Sequence, residues 1–396
     1  MLNRFTYAFI IVAGLLMTAC SVFDDHMYGP EGERIVKLSF TLALGSSDGP
    51  LTRAETWDPN DPVYDGDDIG YDPKLLGDSY DNTIDPTTLQ VVFYEDGDND
   101  ADGVSGEFLG NVQITNYYPV DVNEDGVTNL YHMEGRLLLD EEVLDPEQSY
   151  KMMVFANMPE SQRNMVLSEV PFTVLNDLCF TSYAFGSQAR DAQFIPMWGV
   201  KTVKMDFRKD DLYDLETIYV LRAMAKIEVR LGAQLQSQGY SLTRLSVSNS
   251  NPQGYCLPAE AAYVECTEAL SLNSCFRELG AGSYVTPAVE NESGVSSLVI
   301  YVPEKDNTSA TAQPSALSLK LNYMDSNGVT VMLEPSDQIR FVRYAYGLPT
   351  DEAYDIRRNH NYIFEINNSN TEVDGLKFLV TIKDLEDGGS YGFVYN

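Results

Sequence analysis

The feature that most constrains the fold is a strand-like segment near the N-terminus, at residues 34–44. Every second residue in it is apolar, and the residues between are chiefly Lys, Ser, Thr and Ala. Successive side chains of a β-strand point to opposite faces, so this two-residue period predicts a half-buried strand. The apolar side chains that need a core on their face are Val36, Leu38, Phe40, Leu42 and Leu44.

A loop with a cleavage signal follows this strand directly. Residues 45–50 are rich in Gly, Ser, Asp and Pro, and they lead to Arg53 and Ala54. An exposed, extended arginine in such a segment suits a trypsin-like, Arg-specific protease. Loss of a strand from a sheet exposes its apolar partners and two unpaired backbone edges, unless another strand fills the gap. The pattern therefore predicts a removable strand and an assembly that replaces it.

The first twenty residues have the pattern of a bacterial lipoprotein signal peptide. Arg4 precedes a short apolar run that is too short to span a bilayer comfortably, and small residues precede Cys20. We therefore expect a lipid anchor, such as palmitate, on Cys20 of an outer-membrane precursor. Asp24 and Asp25 then resemble an acidic signal for display at the cell surface.

The length and the apolar content allow two domains, each with its own core. The chain has 396 residues, of which 44% are hydrophobic. Short alternating runs separated by Gly, Pro, Asn and Asp predict an all-β fold of sandwich type, with one short helix within residues 159–170. The predicted divisions are a signal peptide at 1–20, a pro-segment at 21–53, an N-terminal domain at 54–201 and a C-terminal domain at 202–396.

Charge and motif content exclude several classes of function. The formal net charge of −34 argues against a nucleic-acid partner, because phosphate binding needs a basic surface. Residues 45–49 fit the G-x-S-x-G pattern of hydrolases, but no helix follows them as that motif requires. No dinucleotide or phosphate-binding glycine loop is present. We therefore expect no enzymatic activity.

Two acidic loops match the first half of a calcium-binding loop. Oxygen ligands alternate before a Gly in both, but neither loop has the carboxylate at position twelve that completes a calcium site. Two interpretations remain open, an Asp/Gly-rich hairpin turn without metal and a weak extracellular calcium site. No other cofactor is expected. The six candidate ligands are Asp98, Asp100, Asp102, Asp121, Asn123 and Asp125.

Four cysteines remain after Cys20, which are Cys179, Cys256, Cys266 and Cys275. An even number in an exported protein is compatible with disulfides, and three pairings are open. Free buried thiols are the alternative. None of the cysteines has the C-x-x-C spacing of a zinc or redox site.

The end of the chain carries a second amphipathic strand. Apolar residues alternate there with Lys, Leu and Thr, in the same way as in the N-terminal strand. The apolar positions on one face are Leu376, Phe378, Val380 and Ile382.

Several motifs, in this order, resemble those of the fimbrillin family, the type V pilins of Bacteroidales. The lipidation signal, the apolar strand and the Arg53–Ala54 junction come first. Residues 195–199 (IPMWG) are similar to the IPMxG turn of that family, and residues 222–229 (RAMAKIEV) to its RxxAKIEV signature. Residues 358–362 (RNHNY) are similar to its RNxxY motif.

The resemblance implies two transthyretin-like, Greek-key β-sandwiches in tandem. It also implies a pilin precursor that is cleaved after Arg53 and polymerises by strand exchange into surface fimbriae for adhesion. The C-terminal strand would help to complete the assembled sheet, and the partners would be other pilin subunits and the processing protease. The alternative is a surface lipoprotein that does not polymerise, such as a tip adhesin, a fimbrial anchor or a carbohydrate-binding protein.

Overall fold

The computed structural model describes twenty β-strands and very little helix, which confirms the all-β class. The described residues are 33–44, 80–95, 108–122, 128–140, 149–166, 175, 177–181, 193–204, 206, 212–259, 276–279, 283–309, 313–324, 327–333, 339–345, 348–368 and 376–384. Among them, no helix has both the length and the apolarity needed to cross a membrane.

The strands of the first half are β1 (Glu33–Leu44), β2 (Gln90–Glu95), β3 (Phe108–Val122), β4 (Thr128–Asp140), β5 (Tyr150–Ala156), β6 (Cys179–Thr181), β7 (Met197–Val203) and β8 (Leu212–Arg222). Seven of them form a closed barrel in the order β1-β4-β3-β2-β5-β7-β8. All neighbours are antiparallel except β1 and β8, which run parallel and close the barrel. The N-terminal strand is therefore a structural part of the barrel wall.

The strands of the second half are β9 (Ala225–Leu231), β10 (Ser241–Ser248), β11 (Gln253–Tyr255), β12 (Val289–Val295), β13 (Ser297–Val302), β14 (Ala316–Met324), β15 (Thr330–Leu333), β16 (Ile339–Arg340), β17 (Val342–Ala345), β18 (Leu348–Ala353), β19 (His360–Asn368) and β20 (Leu376–Asp384). Two sheets, β12-β10-β14-β15 and β13-β9-β19-β20, contribute to one buried apolar cluster, as in a sandwich. Two smaller ribbons pair β11 with β6 and β17 with β18.

Helices are few and short. One spans Glu160–Val166, within the range that the sequence predicts. A second, at Ala233–Ser237, lies in the second half of the chain and is not predicted from the sequence. Helices of five to seven residues are too short to be stable alone, so both depend on their tertiary contacts.

The chain passes from the barrel to the sandwich within the RAMAKIEV motif. β8 ends at Arg222, a bend occupies Ala223 and Met224, and β9 begins at Ala225. The barrel's apolar cluster includes Met224, whereas Ala225 belongs to the sandwich cluster. The change of sheet therefore lies C-terminal to the predicted boundary at 201, which falls inside β7.

Candidate functional site

The candidate site is the groove of the barrel that β1 occupies between β4 and β8. β1 pairs antiparallel with β4 over eleven residues, from Glu33 opposite Asp140 to Ala43 opposite Leu130. On its other side it pairs parallel with β8 at seven positions. Both backbone edges of β1 are thus satisfied, and its removal would leave unpaired edges on two strands at once.

The five apolar side chains of β1 lie in the core of the barrel, as the two-residue period predicts. Leu38, Phe40 and Leu42 are fully buried, and Val36 and Leu44 are 2% exposed. Burial of an apolar side chain of this size contributes about 1.5–3 kcal/mol, so the five together contribute roughly 8–15 kcal/mol. This is as large as the whole stability of a typical domain, about 5–15 kcal/mol.

The walls of the groove are apolar on the β4 side along the same face. Val36, Leu38, Phe40 and Leu42 lie opposite Leu137, Gly135, Met133 and Tyr131. A Cβ atom on Gly135 would lie 2.4 Å from Val112 Cγ1 and 3.1 Å from the carbonyl oxygen of Gln113. The side chain of Val112 therefore fills the space that a larger residue at 135 would need.

The other face of β1 is more covered than the sequence predicts. Ser39 and Ala43 are buried, with 7% and 5% exposure, while Lys37 and Thr41 are half-buried. Because β1 has a neighbour on each side, its small side chains lie between longer ones: Ser39 is flanked by Glu134 and Asp214, and Ala43 by Leu130 and Tyr219. The groove therefore favours small residues at these two positions.

A buried polar cluster joins the barrel to the sandwich. Asp81 is completely buried; its Oδ2 accepts a 2.5 Å hydrogen bond from Lys226 Nζ, and its Oδ1 accepts one from the Tyr301 hydroxyl. The Arg222 guanidinium donates to the Asp81 carbonyl oxygen at 2.7 Å and to Asn359 Oδ1 at 2.9 Å. We call these five residues the joint cluster.

The charge balance of the joint cluster keeps Asp81 ionised. Burial raises the pKa of this carboxyl group. The nearby charge of Lys226, hydrogen bonds from Lys226 and Tyr301, and the charge of Arg222 outweigh that effect, so the pKa lies below its ordinary value of 3.8. A carboxylate held in this way ties the segment after residue 79 firmly to the second half of the chain.

A second buried ion pair supports the same junction. Arg358 donates to Glu304 Oε2 through Nη2 at 2.7 Å and Nε at 3.0 Å, and both side chains are 2% exposed. The same guanidinium also donates to the carbonyl oxygens of Tyr255 and Cys256 at 3.2 Å. Since Tyr255 lies on β11, which pairs with β6, this contact links the sandwich to the ribbon beside the barrel.

Many of the residues singled out in the sequence lie outside the described residues. These include Cys20, Arg53, Ala54, Asp98, Asp100, Asp102, Asn123, Asp125, Cys266 and Cys275. Asp121 lies near the end of β3, with its backbone opposite Leu130 of β4. Within the described ranges, no three His, Cys, Asp or Glu residues cluster as a metal site would. The calcium loops therefore remain a prediction.

The C-terminal strand and two of the cysteines can be placed. β20 pairs antiparallel with β19 at the end of its sheet, with Leu376, Phe378, Val380 and Ile382 opposite Asn368, Ile366, Phe364 and Tyr362. Cys179 and Cys256 are free thiols. Burial, together with the charge of Cys179, raises the pKa of the Cys256 thiol well above its usual range, although Arg358 opposes this shift.

Sequence reasoning did not predict the joint cluster. Three of its residues, Arg222, Lys226 and Asn359, belong to the RAMAKIEV and RNHNY motifs, but nothing in those motifs indicates that they lie together. A signal was available: polar residues beside apolar strands are costly to bury without partners, so these three residues together indicate a shared polar site. Asp81, more than a hundred residues earlier, carries no such local signal.

No family model matches the chain, and no curated protein matches it. Among solved structures, it is similar to a fimbrial assembly protein from Parabacteroides distasonis, with a TM-score of 0.43, 12% identity, and coverage of 89% of this chain and 97% of that one. A candidate cell adhesion protein from the same organism has a TM-score of 0.45, 11% identity and coverage of 88% and 99%. Candidate polysaccharide-binding proteins from Bacteroides thetaiotaomicron have a TM-score of 0.35, 12% identity and coverage of 88% and 95%.

Proposed function

We propose that this chain is the precursor of a structural pilus subunit. It is lipidated at Cys20 and carried to the outer membrane, where β1 fills its own barrel. An Arg-specific protease cuts after Arg53, β1 leaves, and a strand from a neighbouring subunit takes its place. The product is a surface fimbrium that serves adhesion.

One observation carries this proposal: β1 is an interior strand that a single cut would sever from everything else. Its two neighbours, β4 and β8, belong to the chain after residue 127. The joint cluster begins at Asp81, after the predicted cleavage site, so cleavage at Arg53 leaves it intact. The cut would thus release one strand and disturb neither the joint nor the sandwich.

The empty groove would bind a replacement strand strongly. It offers two rows of backbone hydrogen bonds and an apolar floor that β1 covers at a gain of roughly 8–15 kcal/mol. β20 is a suitable donor, because it lies at the end of its sheet and, among the strands that the structure describes, pairs only with β19. It therefore gives up fewer backbone hydrogen bonds on leaving than an interior strand would.

The test is cleavage of the purified precursor followed by N-terminal sequencing and gel electrophoresis without boiling. We expect a product that starts at Ala54, with a ladder of oligomers that appears as β1 is lost. Arg53→Ala should remain a monomer, whereas Arg53→Lys should be cut by trypsin and not by an Arg-specific protease. If the surface form retains the lipid-blocked Cys20, the chain is instead an anchor or a binding lipoprotein. Ladders of Arg53→Ala at the wild-type level would show that assembly does not require cleavage at this site, and would refute the exchange of β1.

A further inference from the structure

β8 contains a bulge opposite the centre of β1. Ser39 pairs with Asp214 and Thr41 pairs with Thr217, so two residues of β8, Leu215 and Glu216, lie opposite the single residue Phe40. The extra residue changes the phase of the side chains along β8. Tyr213 and Leu215 face the core before the bulge, and Ile218 and Val220 face it afterwards.

Side chains outside the apolar core hold this bulge in place. Glu216 has a φ of 58°, in the left-handed region that costs free energy for a residue other than glycine. Its backbone N–H donates to Asp214 Oδ1 at 2.9 Å. Lys201 Nζ donates to the Glu216 carboxylate at 3.1 Å and to the Thr217 carbonyl oxygen at 3.3 Å. None of these three bonds involves β1, so the bulge does not depend on its occupant for them.

The largest inward side chain of β1 lies at the level of the bulge. Phe40 is fully buried and is the one aromatic residue in the strand, between Leu38 and Leu42. A slip of the strand by two residues would keep every side chain on its face, so alternation alone does not distinguish these registers. Backbone hydrogen bonds do not distinguish them either. The registers differ in the position of the Phe40 side chain relative to the β8 bulge.

We propose that the β8 bulge, fixed by Asp214 and Lys201, sets the register of the strand that occupies the groove by accepting one aromatic side chain opposite it. The occupant is a strand parallel to β8 with an aromatic residue at its centre and small residues one position before and three positions after it. For β1 itself the inference does not depend on the proposed function; for a strand from another subunit it rests on the proposed strand exchange. For β20 of a second copy, it predicts Phe378 at the place of Phe40 and Thr381 at the place of Ala43. Lys377 then takes the place of Ser39, which is the one position where β20 departs from the preference for a small residue.

The test uses the uncleaved chain, so it does not depend on processing or assembly. Thr217→Cys is combined with either Thr41→Cys or Ser39→Cys, because these residues share the outer face of β1 and β8. The yield of each disulfide is then measured by peptide mapping after mild oxidation. In the native strand the 41–217 disulfide should dominate. In Leu38→Phe/Phe40→Leu, which moves the aromatic ring by two residues, we expect the yield ratio of 41–217 to 39–217 to fall roughly tenfold, equivalent to about 1.4 kcal/mol.

A second variant tests whether the bulge itself makes the selection. Asp214→Ala removes the acceptor that holds Glu216, so in this background the exchange of residues 38 and 40 should change the ratio less than about threefold, or 0.7 kcal/mol. Glu292→Ala, on the exposed face of β12, is the matched control and should leave the tenfold change intact.

Two outcomes would overturn the proposal. One is an exchanged chain that folds, judged by the fluorescence of buried Trp198, and still forms the 41–217 disulfide as selectively as the native chain. The other is an Asp214→Ala chain that responds to the exchange as strongly as its parent. If the exchanged chain does not fold, Phe40→Leu alone serves: it should bring the two disulfide yields within about threefold of each other, or 0.7 kcal/mol, and unchanged selectivity would refute the inference.

Discussion

Replacement of Phe40 by alanine tests the physical basis of the groove most directly. Phe40 is fully buried at the centre of β1, opposite Met133 of β4. Removal of a buried Phe side chain costs about 3–5 kcal/mol, since it loses transfer free energy and leaves a cavity. We therefore expect the free energy of unfolding of the barrel to fall by about that amount. In the cleaved complex, the same loss would raise the dissociation constant of β1 at least about a hundredfold.

Urea denaturation followed by tryptophan fluorescence measures this loss. Trp198 lies in the barrel core with 1% exposure and reports barrel unfolding, and Trp57→Phe removes the only other tryptophan from the signal. Leu138→Ala is the matched control: it lies on β4 opposite Ile35 but is 47% exposed, so it should change stability by no more than about 0.5 kcal/mol. Equal midpoints for the Phe40 and Leu138 variants would show that β1 does not contribute to the core.

Three further predictions concern the groove and the joint. Gly135→Ala should destabilise the barrel by about 1–3 kcal/mol, because its Cβ would lie 2.4 Å from Val112 Cγ1; a melting temperature equal to wild type would contradict the close packing beside Leu38. Asp81→Asn should cost about 3–5 kcal/mol in urea unfolding at pH 7, since it leaves Lys226 buried without its carboxylate. Because the pKa of Asp81 is lower in the folded protein, its stabilisation is complete above pH 3.8 and is lost as the pH falls through the folded value. Wild type should therefore lose more stability than Asp81→Asn between pH 4 and pH 2, and parallel curves of stability against pH would refute this. Cys256, whose thiol is buried and has a raised pKa, should resist alkylation at pH 8 until urea unfolds the protein, and rapid labelling of the native chain, detected by mass spectrometry, would contradict its environment.

The sequence predicted those parts of the fold that depend on local periodicity. The strict alternation from Val36 to Leu44 predicted which five side chains of β1 face a core, because the geometry of a single strand determines it. The local propensities of the RAMAKIEV segment are ambiguous, since Ala and Met favour helix and its ends favour strand. In the structure it forms two strand ends around a bend, because pairing with distant strands overrides weak local propensity.

The contacts between distant segments were not predictable in this way. The parallel pairing of β1 with β8 and the burial of Ser39 and Ala43 depend on neighbours that lie far away in the chain. The β8 bulge did leave a local trace, in the three-residue spacing of Leu215 and Ile218 between two-residue spacings. The joint cluster left a local trace only in the residues that belong to sequence motifs, because nothing near Asp81 indicates its partners.

The closure of the barrel also has a consequence for the timing of the proposed cleavage. Lys37 and Leu212 pair although 175 positions separate them, so β1, the first of the described barrel strands in sequence, cannot complete its pairing until β8, the last of them, has been synthesised. While the chain is continuous, the tether keeps β1 at a high effective concentration near its groove, at a cost that grows only slowly with loop length. After the cut, return becomes a second-order encounter and depends on dilution. A protease that acts after folding would therefore favour the departure of β1 in dilute solution, whereas one that acts before folding would leave a barrel that only a strand from another molecule could close.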